Sequence, residues 1–194
     1  MAKIVRKNSP DLLKDYTRNK KYLRADFSYR CGYCDFSEAE LAGARHFHVD
    51  HYKPSSKCAS WQEANQYSNL IYSCGKCNEK KSDYWPATLF HVWLGLIVIN
   101  PCEIDPDLHI DRSQHSWRAR TLMGHWNIEL LDLQSYDKIE RRKDRKNFLE
   151  MIGEHEKMLL RLRKKLPNRK VEMEILKTEA HLKSLRNQVF GPRD

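Results

Sequence analysis

Two cysteine pairs constrain this chain more than any other feature in it. Cys31-Gly32-Tyr33-Cys34 and Cys74-Gly75-Lys76-Cys77 are CxxC knuckles separated by residues 35–73. A CxxC turn lets both thiolates face one cation, and two such turns complete a tetrahedral zinc site. The glycine in each knuckle permits a tight backbone turn. Two disulfides or a thioredoxin-like redox pair would use the same residues otherwise. The first needs an oxidising compartment, and the second needs only one CxxC. Spacing and compartment favour zinc, and four thiolates leave no open position for water, so the site is expected to be structural. Cys58 and Cys102 are left over and read as ordinary small buried residues.

The compartment follows from what the chain lacks. No apolar run is long enough to cross a bilayer, and residues 92–99, the best candidate, read as a buried strand or helix segment. The first seven residues carry charge but no apolar stretch before a cleavage site, so a cytoplasmic protein with reduced cysteines is expected. At 194 residues the chain suits one domain, or one compact domain with a helical extension. Its net charge of +9 is unevenly spread. Residues 1–30 hold nine Lys/Arg against three Asp/Glu, residues 31–136 nine against thirteen, and residues 137–194 seventeen against ten. A mildly acidic middle between basic arms suits a metal-binding chemical centre held on a polyanion, although solvated helix faces would give the same pattern.

Local patterns place the elements. Ser9-Pro10-Asp11 is a helix start and predicts a helix over residues 10–22. Residues 36–44 read as a helical turn or loop. Residues 46–52 alternate as a strand, with His46, His48 and Asp50 on one face and Phe47, Val49 and His51 on the other. A short helix is expected over residues 60–66, a strand over 69–73 and a helix over 77–82. Asn100-Pro101 and Asp105-Pro106-Asp107 are turn signals, and residues 128–133 form a strand or a helix start. From Tyr136 the pattern is helical. Leu149, Ile152, His155, Leu159, Leu162 and Leu166 recur at helical spacing, Pro167-Asn168 interrupts, and Val171, Ile175, Thr178, Leu182, Leu185 and Val189 resume. Two amphipathic helices in a hairpin are expected. It would serve either as core packing or as a docking and oligomerising surface.

Between and after the knuckles stand His48-Val49-Asp50-His51, Pro54, Asn69-Leu70, Asn78 and Lys81. The ordered set CxYC … VDH … P … NL … CxxCN … K resembles the zinc-stabilised form of the HNH, or ββα-metal, endonucleases. The resemblance covers roughly residues 27–86, under a third of the chain. It implies an α+β, mostly helical protein: a small ββα-metal core with zinc knuckles, flanking helices and a C-terminal helical hairpin. The corresponding segments are a basic arm over 1–26, the nuclease core over 27–86, an accessory segment over 87–135 and the basic hairpin over 136–194.

By the same resemblance, Asp50 and Asn78 hold a catalytic Mg²⁺ or Mn²⁺, His51 is the general base toward water, and Asn69 holds the loop that aims it. Cys31, Cys34, Cys74 and Cys77 hold the structural zinc. The residue types agree with these roles. Imidazole as such ionises near ambient pH, and a few hard oxygen ligands suit an ion that keeps waters and a substrate phosphate. Lys81, one turn beyond Asn78, and His48, on the Asp50 face, are candidate substrate contacts. The implied reaction is hydrolysis of phosphodiester bonds in nucleic acid, with DNA favoured over an RNA such as tRNA. A non-catalytic zinc module binding nucleic acid or a partner protein is the rival, and it has no need of Asp50, His51 and Asn78 together.

Residues 100–109 and the basic helix after them are more loosely similar to the HNH nuclease subunits of Septu and retron-type anti-phage systems, which work beside an ABC-type ATPase. That likeness implies a defence role and such a partner. If the basic flanks instead clamp phosphates, Arg141, Arg142, Lys143, Arg145 and Lys146 are the side chains that would do so.

Overall fold

The computed structural model describes residues 3–164 and 169–191. The fold is α+β and dominated by helix, with two small antiparallel sheets. Its centre is a hairpin of β1 (Phe47–His51) and β2 (Leu70–Cys74), paired in register from Phe47 opposite Cys74 to His51 opposite Leu70. All five β2 residues are buried, as a continuous apolar strand covered on both sides should be. Phe47 stacks on Tyr72 across the pair at 4.9 Å between ring centroids. Helix α1 (Lys20–Asp26) lies against this hairpin and buries Leu23.

The link between β1 and β2 contains α2 (Trp61–Asn65), whose start is a capping box. Ser60 Oγ accepts from the Glu63 amide, and the Glu63 carboxylate accepts from the Ala59 amide. Cys74 ends β2 and caps α3 (Gly75–Lys81), so the second knuckle is also the strand-to-helix junction. The helix predicted over 77–82 begins two residues earlier for that reason.

Four expectations are corrected. Residues 3–13 form no helix; a 3-10 turn, Tyr16–Asn19, starts instead on the Asp15 carboxylate and leads into α1. Tertiary bonds override the Ser-Pro-Asp signal. The Ile4 amide donates to Pro101 O, the Lys7 and Asn8 amides to the Asp26 carboxylate, and Arg6 reaches Leu70 O beside the Phe27 and Tyr67 rings.

Residues 92–99 are not one buried element. Their first two residues end α4 (Leu89–Trp93), a helix of exposed apolar side chains capped by Thr88. Val98 and Ile99 are buried without a partner strand, and the Asn127 carboxamide takes that place by accepting from Ile99 N and donating to Ile97 O. Residues 128–133 are the end of α5 (Leu122–Leu130) and the turn after it. A second ladder, β3 (Ile110–Asp111) with β4 (Arg118–Ala119), packs beside α5.

The C-terminal hairpin of α6 (Tyr136–Arg163) and α7 (Arg169–Phe190) forms as expected. Ile152 and Leu159 meet Leu182, Leu185 and Val189, so α6 spends its apolar stripe on α7. Leu149 turns out to solvent and Phe148 packs in its stead. Leu166, Pro167 and Asn168 lie outside the described residues. Of the five basic residues named for phosphate contact in the first turns of α6, Arg142 and Arg145 face inward and are ruled out of that role. Arg141 donates to Glu40 O, Arg145 binds the Asp35 and Glu40 carboxylates, and Arg142 is buried. Lys143 is paired with Glu140 on its own helix.

One core gathers side chains from Ile4 to Leu133, and the α6–α7 seam forms a second cluster. The knuckle glycines differ in what they do. A Cβ on Gly32 would stand 2.6 Å from Phe27 Cε1 and 3.0 Å from Ile71 Cγ2, so that glycine is required for space. A Cβ on Gly75 would come no closer than 3.4 Å to any atom, the nearest being His48 Nε2, which is ordinary van der Waals contact. Gly32→Ala is therefore expected to destabilise by about 1–3 kcal/mol through overpacking. Gly75→Ala should be nearly neutral, and urea unfolding of the two variants checks the contrast.

Candidate active site

The four cysteine sulfurs lie within 4.8 Å of one another, all four residues buried. Cys34 and Cys74 sulfurs are 3.7 Å apart, and the Cys74 amide donates to Cys31 Sγ at 3.3 Å. Burial pushes the Cys34 thiol well above its ordinary range, and the other three sulfurs push Cys77 up, while they hold Cys74 far down. One sulfur can carry charge here only at the expense of its neighbours, unless a cation neutralises the set. Tetrahedral four-sulfur donation fits zinc. Cys58 and Cys102 are partly exposed and stand outside the cluster.

The first knuckle reaches into the neighbouring site through Tyr33, whose hydroxyl donates to Asp50 Oδ2 at 2.6 Å. Asp50 is 6% exposed, and its Oδ1 accepts from Lys81 Nζ at 3.2 Å. Burial raises the Asp50 carboxyl above its ordinary range, with the Lys81 ammonium and the Tyr33 hydroxyl acting against it. The Lys81 side chain is fully buried and also donates to His51 O at 2.7 Å. Lys81 therefore has no path to a substrate phosphate. It braces the end of β1 from inside, and removing one member of such a buried pair typically costs about 3–5 kcal/mol.

Strict strand alternation sends Asp50 and His51 to opposite faces. Both nevertheless border one open polar cavity of about 500 Å³, together with Asn78, Tyr16, Ser55 and Asp83. His51 is the last residue of β1, paired opposite Leu70, and its ring lies tilted against Tyr16 at 4.5 Å between centroids. The His51 Nε2 lies 3.0 Å from Asn65 Oδ1. Asn65 Nδ2 donates to Trp61 O, which can only accept, so the Asn65 oxygen is the atom facing His51. His51 must then donate through Nε2, and its Nδ1 keeps a free lone pair.

Asn69 closes the far side of this arrangement. Its Oδ1 accepts from the Lys53 amide, and its Nδ2 donates to Lys53 O and Ala64 O, tying the chain after β1 to the end of α2 where Asn65 sits. His48 is elsewhere. It is exposed and lines a separate groove with Arg45, His46 and Lys76. His109 is bonded to Thr121.

Asp50 and Asn78 offer oxygen donors on one cavity, which fits a hard divalent ion that keeps most of its waters. A carboxylate has about four acceptor sites, so the bonds from Tyr33 and Lys81 leave room on Asp50. Sequence reasoning missed Asn65, Tyr33 and the burial of Lys81. The aromatic residue inside CxYC was the one available signal, and nothing local marks Asn65 as a partner of His51.

Residues 31–84 match the family model described as HNH endonuclease. No curated protein and no solved structure matches the chain. The matched span opens on the first knuckle and closes just past α3, so it takes in the cysteine cluster, the β1–β2 hairpin and every residue that borders on His51 from the hairpin and its link. Over residues 31–84 the chain is similar to the HNH endonucleases.

Proposed function

We propose that the protein hydrolyses phosphodiester bonds of nucleic acid, DNA in preference to RNA, with His51 as general base. The observation that carries this reading is the shared cavity of Asp50, His51 and Asn78, with the Asn65 amide oxygen facing His51 Nε2. In that role His51 takes a proton from the attacking water onto Nδ1, and Asn65 supports the imidazolium through its amide oxygen. Asp50 and Asn78 would hold Mg²⁺ or Mn²⁺. That ion would supply stabilisation of the charge developing on the phosphoryl and leaving oxygens. Tyr33 and Lys81 orient the Asp50 carboxylate, and Asn69 holds the loop that carries Lys53. A bare zinc-binding module has no use for the Tyr33–Asp50 and Asn65–His51 bonds. A place as nuclease effector in an anti-phage system, beside an ATPase, rests on the looser likeness of residues 100–109.

Plasmid, single-stranded DNA and total RNA, each incubated with Mg²⁺, Mn²⁺ or EDTA, test the activity and its substrate. His51→Ala should lower cleavage by about 10²–10⁴-fold with the fold intact. Asp50→Ala and Asn78→Ala should lose both cleavage and divalent-ion binding. Full activity of His51→Ala would overturn the mechanism.

Asn65→Ala tests positioning apart from chemistry. It should lower kcat by about 10²-fold while KM holds, because the ring is misaimed and the substrate is not. Its pH–rate profile should also change shape as the tautomer is released. An unchanged kcat and profile would remove Asn65 from the mechanism.

The cluster should hold one structural zinc per chain, and Cys31→Ser or Cys77→Ser should unfold the domain, since metal binding there contributes directly to folding. Elemental analysis of freshly purified protein reads this directly. Metal-free protein with native stability would exclude it.

A further inference from the structure

Among the described residues, Arg142 is a buried cation with no carboxylate in ion-pair contact. It lies on α6 and is 5% exposed, with its guanidinium carbon 3.7 Å from the centroid of the Trp117 ring and 5.8 Å from that of Phe36. Nη1 donates to Leu133 O at 2.8 Å and to His115 O at 3.3 Å. Nε and Nη2 are buried with no acceptor. Its neighbours on the helix are placed differently: Arg145 is paired with Asp35 and Glu40, and Arg141 with Asp137.

A buried guanidinium served only by carbonyls and ring faces still needs a compensating negative charge nearby. The ring beneath it locates one. Phe36 belongs to the first knuckle, its carbonyl accepting from the Cys31 amide at 2.9 Å. Burial, with Arg145 beside it, drives the Arg142 guanidinium down to about 10, while Cys34, Cys77 and Asp35 act in the opposite direction. Four thiolates around one divalent ion carry two uncompensated negative charges.

We propose that Arg142 is the counter-charge of the metal–tetrathiolate centre, so that the seating of α6 on the nuclease domain depends on the bound ion. This rests on the zinc reading of the four cysteines. With the ion in place, the centre is an anion that holds the guanidinium. With the ion gone, protons or disorder replace it and Arg142 is left as an unmatched charge under Trp117. The arrangement is a support to the ligand shell supplied from a helix outside the matched domain.

The test uses the full chain. Zinc content of the wild type is measured first, and metal-free native protein would sink the zinc reading itself. Given zinc, its release to a chelating dye is timed in wild type, Arg142→Met and Arg142→Lys. Arg142→Met should release zinc about 10- to 100-fold faster, with Arg142→Lys between the two. The sign of the stability change should also reverse. Arg142→Met should melt below wild type when zinc is bound and above it after chelation, because an apolar side chain then replaces an uncompensated charge. If Arg142→Met does not fold, Arg142→Lys and wild type carry the test through amide exchange over residues 136–148, which should rise on chelation. Zinc-bearing wild type with unchanged release in the variants, or with unchanged exchange in α6 after chelation, would overturn the proposal.

Discussion

The mutual approach of four buried sulfurs is the constraint on which the rest of the molecule hangs. The cluster joins a loop before the hairpin to the junction between β2 and α3, and each joined segment delivers part of the site. From the first knuckle comes Tyr33, which grips Asp50. From the helix that starts at the second come Asn78 and Lys81. A two-stranded hairpin is marginal by itself in water. Here α1, α3 and the knuckles cover it, and β2 can be buried along its whole length. The geometry of Asp50 is thus set by a cross-link that makes no contact with the cavity.

What was legible in the sequence was legible because it is local. The knuckle spacing, the β1 and β2 patterns and the short helix after Ser60 are each written within a few residues, and the two strands and α2 stand within two residues of their expected places. The resemblance to the HNH endonucleases picks out Asp50, Asn69 and Asn78, which one strand, one turn and one helix carry. The rest depends on partners far along the chain. Ser9-Pro10-Asp11 has every mark of a helix start, and loses to Asp26 and Pro101, which take the backbone donors of the arm. Lys81 has the position of a surface lysine one turn past Asn78. Only the packed structure shows that its ammonium points back to Asp50 and the His51 carbonyl. The five basic residues of 141–146 look like a charge run, and charge runs are normally solvated. Two of them, Arg142 and Arg145, are turned inside the protein.

The β1–β2 link shows how the site tolerates its own irregularity. Asn69 and Asn65 use their carboxamides where a longer sheet would use backbone, one clipping Lys53 and Ala64, the other fixing the imidazole. Asn127 does the same for residues 97–99 in the accessory segment. A small domain with few strands satisfies buried amides in this way, since an unpaired backbone group costs about as much as a lost hydrogen bond.

The knuckles also close a loop. Everything between Cys34 and Cys74, including Asp50, His51, Asn65 and Asn69, lies on one segment whose two ends are brought together by the cluster. Loop-closure entropy grows only with the logarithm of length, about 0.6 kcal/mol for each doubling. The link around residues 55–60 can therefore lengthen or shorten over evolutionary time at small cost to stability. What limits such change is whether α2 still brings Asn65 to the ring of His51, so the length of this link is held by aim and hardly at all by chain entropy.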